Sequence, residues 1–378
     1  MTNITNSILD YIATKGSESR VIDLSTVFSG TGLTYSVTNS NGDVADVSIV
    51  DGKLTIDYTD LLGFTDLKIT ATDGNGHSVS DNVRVRVAGE NAYTIAVLPD
   101  TQDYSYADGA PTLAKMTQWL VDNKDSLGIT FATHVGDVTA SATQQQWQNV
   151  TDALSILNGK IPYSLTAGNH DQGTGGSANT HTTPWMDHFY SPDNQAAISD
   201  TFGGVYDMEP GRAANNYHTF TAPDGTKWLV LSLEFGPSDD VIRWGKEVIE
   251  DHLDHRVILT SHAYMNWAGR HDATGSSLYG EGAGYDYGLG KLPEGANDGE
   301  TMYRELVQPY SNVTFTFSGH IFGDGAETLV SYDDFGNPVH QMLVNYQNGV
   351  SEEIQDGDGG SGAIRLLTID PDSGQVYT

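Results

Sequence analysis

Cysteine is absent from the chain. That excludes disulfide bridges and thiolate metal sites, so any bound metal must be held by imidazole, carboxylate or amide oxygen. No apolar run approaches the ~20 residues that a membrane-spanning helix needs, and residues 1–20 lack the apolar segment of a signal peptide. Positive charge is scarce: 18 Lys and Arg stand against 50 Asp and Glu, a formal net charge of −32. Through Glu90 there are 6 basic and 12 acidic residues, which leaves 12 and 38 beyond it, so the larger part of the chain carries −26. Such a balance speaks against long nucleic acids, because counterion release requires Lys and Arg along the contact. A small anion would need bound cations to be drawn in. For most of the charge, solubility in a salty or calcium-containing exterior is a sufficient account.

A chain of 378 residues is expected to form two domains, and its texture changes after Gly89. Within residues 1–89, short segments with period-2 alternation read as strands: Leu33 to Thr38, Val47 to Val50, Leu54 to Tyr58, Leu67 to Thr72 and Val79 to Val87. Asp51-Gly52 is a two-residue hairpin signal. The pattern predicts a small all-β sandwich. Its segments, ending in Asp73-Gly74-Asn75-Gly76, resemble cadherin-like or Ig-like repeats of bacterial surface and secreted proteins. In such modules that turn can hold a structural Ca; a plain tight turn is the alternative.

From residue 90 to 378, strands alternate with helical patterns. Tyr93 to Leu98, Ile129 to Val135, Ile161 to Leu165, Val257 to Thr260 and Val313 to Phe317 read as buried strands. Pro111 to Lys124, Gln144 to Leu157 and Val241 to Leu253 read as helices. Tyr217 to Phe220 and Trp228 to Leu233 form a predicted hairpin across Pro223-Asp224-Gly225, and the C-terminal part reads as hairpin-like through Ile364 to Ile369. Two long stretches, Gln172 to Asn216 and Ala263 to Asn297, are expected to be irregular walls or lids.

Chemistry-bearing residues recur just past predicted strand ends. Asp100 and Gln102 follow Leu98, Asp137 follows Val135, Asn169-His170-Asp171 follow Leu165, His262 follows Thr260, and His320 follows Phe317. One alone is a helix cap or a structural His. Five in series predict a site at the carboxyl edge of a sheet.

This order, with Gly136-Asp137, Gly168-Asn169-His170-Asp171, Ser261-His262 and Gly319-His320, resembles the calcineurin-like metallophosphoesterase family. Pro99-Asp100-Thr101-Gln102 looks like a bacterial branch with Gln in the first motif. The resemblance implies an α/β (α+β) four-layer αββα sandwich and two divalent metal ions (Mn, Zn, Fe, Mg or Ca) bridged by Asp137. One metal would be held by Asp137, Asn169, His262 and His320. The other would use Asp100, Asp137 and Gln102, plus a His two places after His320, where this chain has Phe322. Loss of two imidazoles predicts a weaker site there. His271, Asp272 and Asp324 are either substitute ligands or loop polars facing water.

The implied activity is hydrolysis of small phosphate mono- or diesters by metal-activated hydroxide, with His170 as general acid and Asp171 fixing its tautomer. The alternative is an adhesion or matrix protein on the same fold with weakened catalysis. Secretion or surface display is expected, with the export signal outside this chain. Gln375 to Thr378 reads as an unfinished strand, so neighbouring β modules in a longer parent are expected as well.

Overall fold

A computed structural model describes residues 2–267, 269–272, 289, 292, 296–321, 326–347 and 362–378. Two compact units emerge: residues 1–94 with 125–128 and 368–377, and residues 95–124 with 129–367 and 378. This differs from a single cut after Gly89, because the first unit takes in two later segments.

The first unit is all-β. One sheet runs in the order Tyr11–Thr14, Ser78–Ala88, Gly63–Thr72, Thr34–Asn39, and another in the order Arg20–Asp23, Lys53–Tyr58, Ala45–Val50. Alternation decides which side chains face inward: Leu54 and Ile56, and Leu67, Ile69 and Ala71, are buried in a common core with Leu24, Val83 and Val85. Tyr11–Thr14 pairs in parallel with Val85 to Ala88. That strand lies in a stretch with no local hairpin partner and so carries no short-range signal. Asp73 closes a tight turn, its Oδ1 accepting from the N–H groups of Asn75 and His77 at 2.9 and 3.0 Å.

The second unit is of mixed α/β structure. Its seven-stranded sheet runs Phe202–Val205, Asn216–Thr221, Lys227–Leu233, Arg256–Ser261, Val313–Ser318, Pro338–Leu343, Thr328–Tyr332, and a five-stranded sheet runs Tyr163–Ser164, Ile129–His134, Tyr93–Leu98, Arg365–Asp370, Gln375–Tyr377. Leu229, Leu231 and Leu233 alternate toward a core shared with the helix Asp239–Glu250, which buries Val241, Ile242, Val248 and Ile249. Ser238 caps that helix by accepting from the Val241 N–H. The helix at 299–302 passes into a π-helical turn, Tyr303–Val307, on the same core. A further helical pair, Ala110–Asp122 and Gln144–Leu154, is tied by Thr117 Oγ1 donating to the Ala153 carbonyl at 2.9 Å.

Two expectations change. The 172–216 stretch is not structureless: it holds helices Pro184–Phe189 and Pro192–Ile198 and the strand Phe202–Val205. Each helix starts at a proline in its first turn but is too short to show a repeating apolar stripe. Arg365–Asp370 also leaves the predicted hairpin for the five-stranded sheet, where Gln375–Tyr377 pairs with it. Local sequence signals cannot specify that crossing.

Candidate metal centre

The parallel strands Lys227–Leu233, Arg256–Ser261, Val313–Ser318 and Pro338–Leu343 share one direction, so the loops past their carboxyl ends lie together. Ile129–His134 and Tyr163–Ser164 are likewise parallel in the other sheet. The predicted residues therefore come from two sheets, not one.

Asp137, His262 and His320 are buried and bring one ligand atom each within 4.8 Å of one another. His262 Nε2 is 3.1 Å from Asp137 Oδ2 and 3.1 Å from Asn169 Oδ1. Its Nδ1–H donates to the Val135 carbonyl at 2.9 Å, which leaves Nε2 as the nitrogen aimed at the cluster. The His262 and His320 rings lie 4.9 Å apart, with Phe235 5.1 Å from His320 on the apolar side.

Two members of this trio hold backbone conformations that L-residues rarely adopt, Asp137 with φ 49° and His320 with φ 72°. Strain of this kind costs on the order of 1–3 kcal/mol per residue and gathers at functional sites. In His320 it turns the main-chain N–H onto Asp100 Oδ2 at 3.0 Å. The amide of Asn345 donates to the same oxygen, also at 3.0 Å. Asp100 Oδ1 and Gln102 Oε1 are buried with no hydrogen-bond partner. A side chain at Gly319 would put its Cβ 1.8 Å from Asp100 Oδ1, and one at Gly168 would put its Cβ 2.1 Å from the Asp137 nitrogen. Orphaned acceptors beside space that a Cβ would fill fit a hard or borderline divalent cation, and the donor set is of oxygen and imidazole alone.

Electrostatics follow from this crowding. Burial pushes Asp100 well above the usual carboxylate range. Asp137 is buried too, yet the charge and hydrogen bond of His262 outweigh that and hold it down at about 2. Burial likewise opposes protonation of His262, but Asp137 and then Asp100 raise it to about 9. His320 is driven well below its ordinary value, first by burial and then by His262. In the metal-free protein, the proton on His262 thus stands where a cation would bind.

His170 and Asp171 divide differently from expectation. His170 donates its main-chain N–H to Asp137 Oδ1 at 2.8 Å, and its Nδ1–H donates to the Ala140 carbonyl at 2.8 Å. The Ala140 carbonyl, not Asp171, therefore fixes the tautomer and leaves Nε2 available. Asp171 is fully buried. Its carboxylate accepts from the N–H groups of Val138, Thr139 and Gly168 at 3.0, 2.8 and 3.0 Å, and from the Thr139 hydroxyl at 2.9 Å. It staples the Asp137 loop to the Gly168 turn. Burial, then the Asp137 charge, raise it to about 6 against those donors.

His134 and Asn345 went unread in the sequence. His134 Nδ1 accepts from the Gly136 N–H at 3.1 Å, so Nε2–H donates to Thr101 Oγ1 at 2.9 Å; burial holds the ring neutral, with its pKa lowered to about 3. It braces the Asp100 loop against the Asp137 loop. Its signal was a His closing the strand one residue ahead of Gly-Asp. Asn345 had no motif around it. His271 and Asp272 are buried, not loop polars facing water, and His271 is among the groups that hold His320 low. Neither joins the trio. Phe322 and Asp324 lie outside the described residues.

The calcineurin-like phosphoesterase family profile matches residues 93–323. The Bacillus subtilis (strain 168) protein YvnB, itself described as uncharacterized, is 29% identical over 301 residues, covering 76% of this chain and 20% of its own length. The chain thus spans about a fifth of that relative. Among solved structures, purple acid phosphatase PPD1 from yellow lupin (Lupinus luteus) seeds aligns with a TM-score of 0.42 at 12% identity, over 92% of this chain and 68% of its own.

Proposed function

From the premise that the chain belongs to the calcineurin-like phosphoesterase family, whose members are metal-dependent phosphoric ester hydrolases, we propose that it cleaves small phosphate mono- or diesters in an extracellular setting. The convergence of Asp137, Asn169, His262 and His320 opposite the unpartnered oxygens of Asp100 and Gln102 carries this reading. Asp137, Asn169, His262 and His320 would hold one divalent ion, and Asp100, Gln102 and Asp137 a second, weaker one. Such a pair supplies Lewis acidity toward phosphoryl oxygens and activation of water.

The rest falls to the chain's own groups. His170, with Nδ1–H committed to Ala140, offers Nε2 to the leaving oxygen; as an imidazolium it delivers the Nε2 proton there and is left as the neutral Nδ1–H ring. Val138, Thr139 and Gly168 hold Asp171 so that the loop carrying Asp137 cannot swing away. Phe235 keeps water off the imidazoles of His262 and His320. The acidity of the chain restricts the substrate to small esters, since a long polyanion would meet repulsion over most of the surface.

A screen of nitrophenyl mono- and diesters with Mn, Zn, Mg, Fe and Ca tests the proposal. It expects a metal-dependent rate that EDTA abolishes, and about one tightly held ion in protein purified without added metal. No metal-dependent rate on any ester would turn the reading to an adhesion or matrix protein with weakened catalysis. His170→Ala should retain metal and lose most turnover, with the smallest loss on nitrophenolate esters. An equal loss across leaving groups would remove His170 from the proton-donor role.

A further inference from the structure

The centre sits at the carboxyl ends of the strands, yet a second concavity opens at their other ends. It encloses about 670 Å³ and is lined by Lys124, Lys160 and Lys227, by Asp200, and by threonines around Phe220. Its distance from the centre follows from the strands that join them. His255 precedes Arg256–Ser261 and lines the cleft, whereas His262 follows the same strand into the trio. Ile129 opens Ile129–His134 at the cleft, and His134 ends it at the Asp137 loop. Six residues at ~3.3 Å each separate the two by about 20 Å, so neither can serve the other's ligand.

Charge makes this cleft unusual. Only 18 Lys and Arg serve a chain with 50 acids, and among the described residues half of the twelve beyond Glu90 meet a carboxylate, as Arg212, Arg243, Lys246, Arg270 and Arg304 do. Lys227 is paired too, with Asp254 at 2.7 Å, and the same carboxylate takes His255 Nδ1 at 2.8 Å. By contrast, the ammonium groups of Lys124 and Lys160 have no ion-pair or hydrogen-bond partner among the described residues. In so acidic a molecule, two uncompensated cations facing one cavity need a reason. General solubility does not supply one, because it is served here by acids.

The other lining groups narrow the ligand. Thr219 and Thr221 offer hydroxyls, Asp200 accepts hydrogen bonds, and Phe220 gives an apolar face. The volume lies in the range of small-molecule sites, ~300–1,000 Å³. We propose that this cleft binds a small hydroxylated oxyanion of the size and chemistry of a sugar phosphate or sugar sulfate. Lys124 and Lys160 take the anion as point charges, and Asp200 with the threonines takes the hydroxyls. A neutral sugar lacks the first set of contacts, and a bare anion lacks the second.

Calorimetric titration of the full chain with glucose 6-sulfate, which a phosphoesterase does not consume, tests this, with glucose and inorganic sulfate as controls. The expectation is saturable binding that weakens as salt rises, no binding of glucose, and weaker binding of sulfate alone. The double variant Lys124→Ala/Lys160→Ala should lose at least ~10-fold in affinity, and Lys124→Arg/Lys160→Arg should keep most of it; one lost charge-assisted contact is worth about that factor. Hydrolysis of nitrophenyl esters should be unchanged in both, which separates this proposal from the active-centre reading. No binding to wild type at ~10 mM, equal binding of glucose, or affinity untouched in the alanine variant would each overturn it.

Discussion

Replacing Asp171 by Asn asks whether this residue orients a catalytic histidine or clamps a loop. The wild-type carboxylate offers acceptors to three backbone N–H groups and one hydroxyl, divided between its two oxygens. An amide keeps one acceptor oxygen and turns the other position into a donor. Either the N–H groups of Val138 and Gly168, or the N–H of Thr139, then face an NH₂ in a fully buried place. Each orphaned donor costs about 1–3 kcal/mol, and the orientation that orphans only the Thr139 N–H is the cheaper, so Asp171→Asn should destabilise by roughly 1–3 kcal/mol. Across a unit of this size the melting midpoint should fall by at least ~2 °C. The assay is calorimetry of the metal-free protein, paired with a series of esters of differing leaving group. Because Asp137 rides on the clamped loop, metal affinity should fall as well, whereas the leaving-group dependence should stay as in wild type. A midpoint within ~1 °C of wild type, with turnover lost in the pattern of His170→Ala, would refute the clamp and return Asp171 to the histidine.

Other outcomes test the surrounding groups. Asn345→Leu removes one of the donors to Asp100 Oδ2; groups that orient metal ligands are worth ~10–100-fold in affinity, so titration with Mn should show a loss confined to the weaker ion. An unchanged isotherm would make Asn345 a bystander. His218 is buried between Phe131 and Phe202 and lowered to about 3 by that burial. The unfolded chain therefore takes up its proton first as pH falls below its ordinary value near 6.5, and stability drains between there and pH 3. Relative to wild type, His218→Phe should flatten the acid loss of stability by about 1.4 kcal/mol per pH unit between pH 6 and 4. Parallel pH profiles would contradict a neutral buried ring.

Much of the fold was legible because buried strands read as apolar-rich runs that stop just ahead of Pro-Asp, Gly-Asp, Gly-Asn or Gly-His. Tyr93–Leu98, Ile129–His134 and Val313–Ser318 carry such runs. What local pattern could not hold was long-range choice. Arg365–Asp370 looks like the third strand of a hairpin until the sheet it joins is known, and Tyr11–Thr14 finds its partner more than seventy residues away. The convergence of Asp137, His262 and His320 was legible by spacing, but its bracing was not. Asp171 adjoins His170 in sequence, which suggests a pair, yet across the short turn at 169–171 the His170 ring meets the Ala140 carbonyl while the Asp171 carboxylate meets the N–H groups of Val138, Thr139 and Gly168. Asn345 and Ala140 act through an amide and a main-chain carbonyl, and neither leaves a motif.

The close packing at Gly168 and Gly319 bears on how this centre would look to someone mapping it by selection alone. In a saturation library scored for turnover, both positions should reject every replacement, including alanine, as firmly as the histidines do. Neither carries an atom that can bind a cation, move a proton or touch an ester. An intolerance map would therefore overcount the catalytic machinery: at these two positions, what selection preserves is the close approach of a carboxylate to bare main chain.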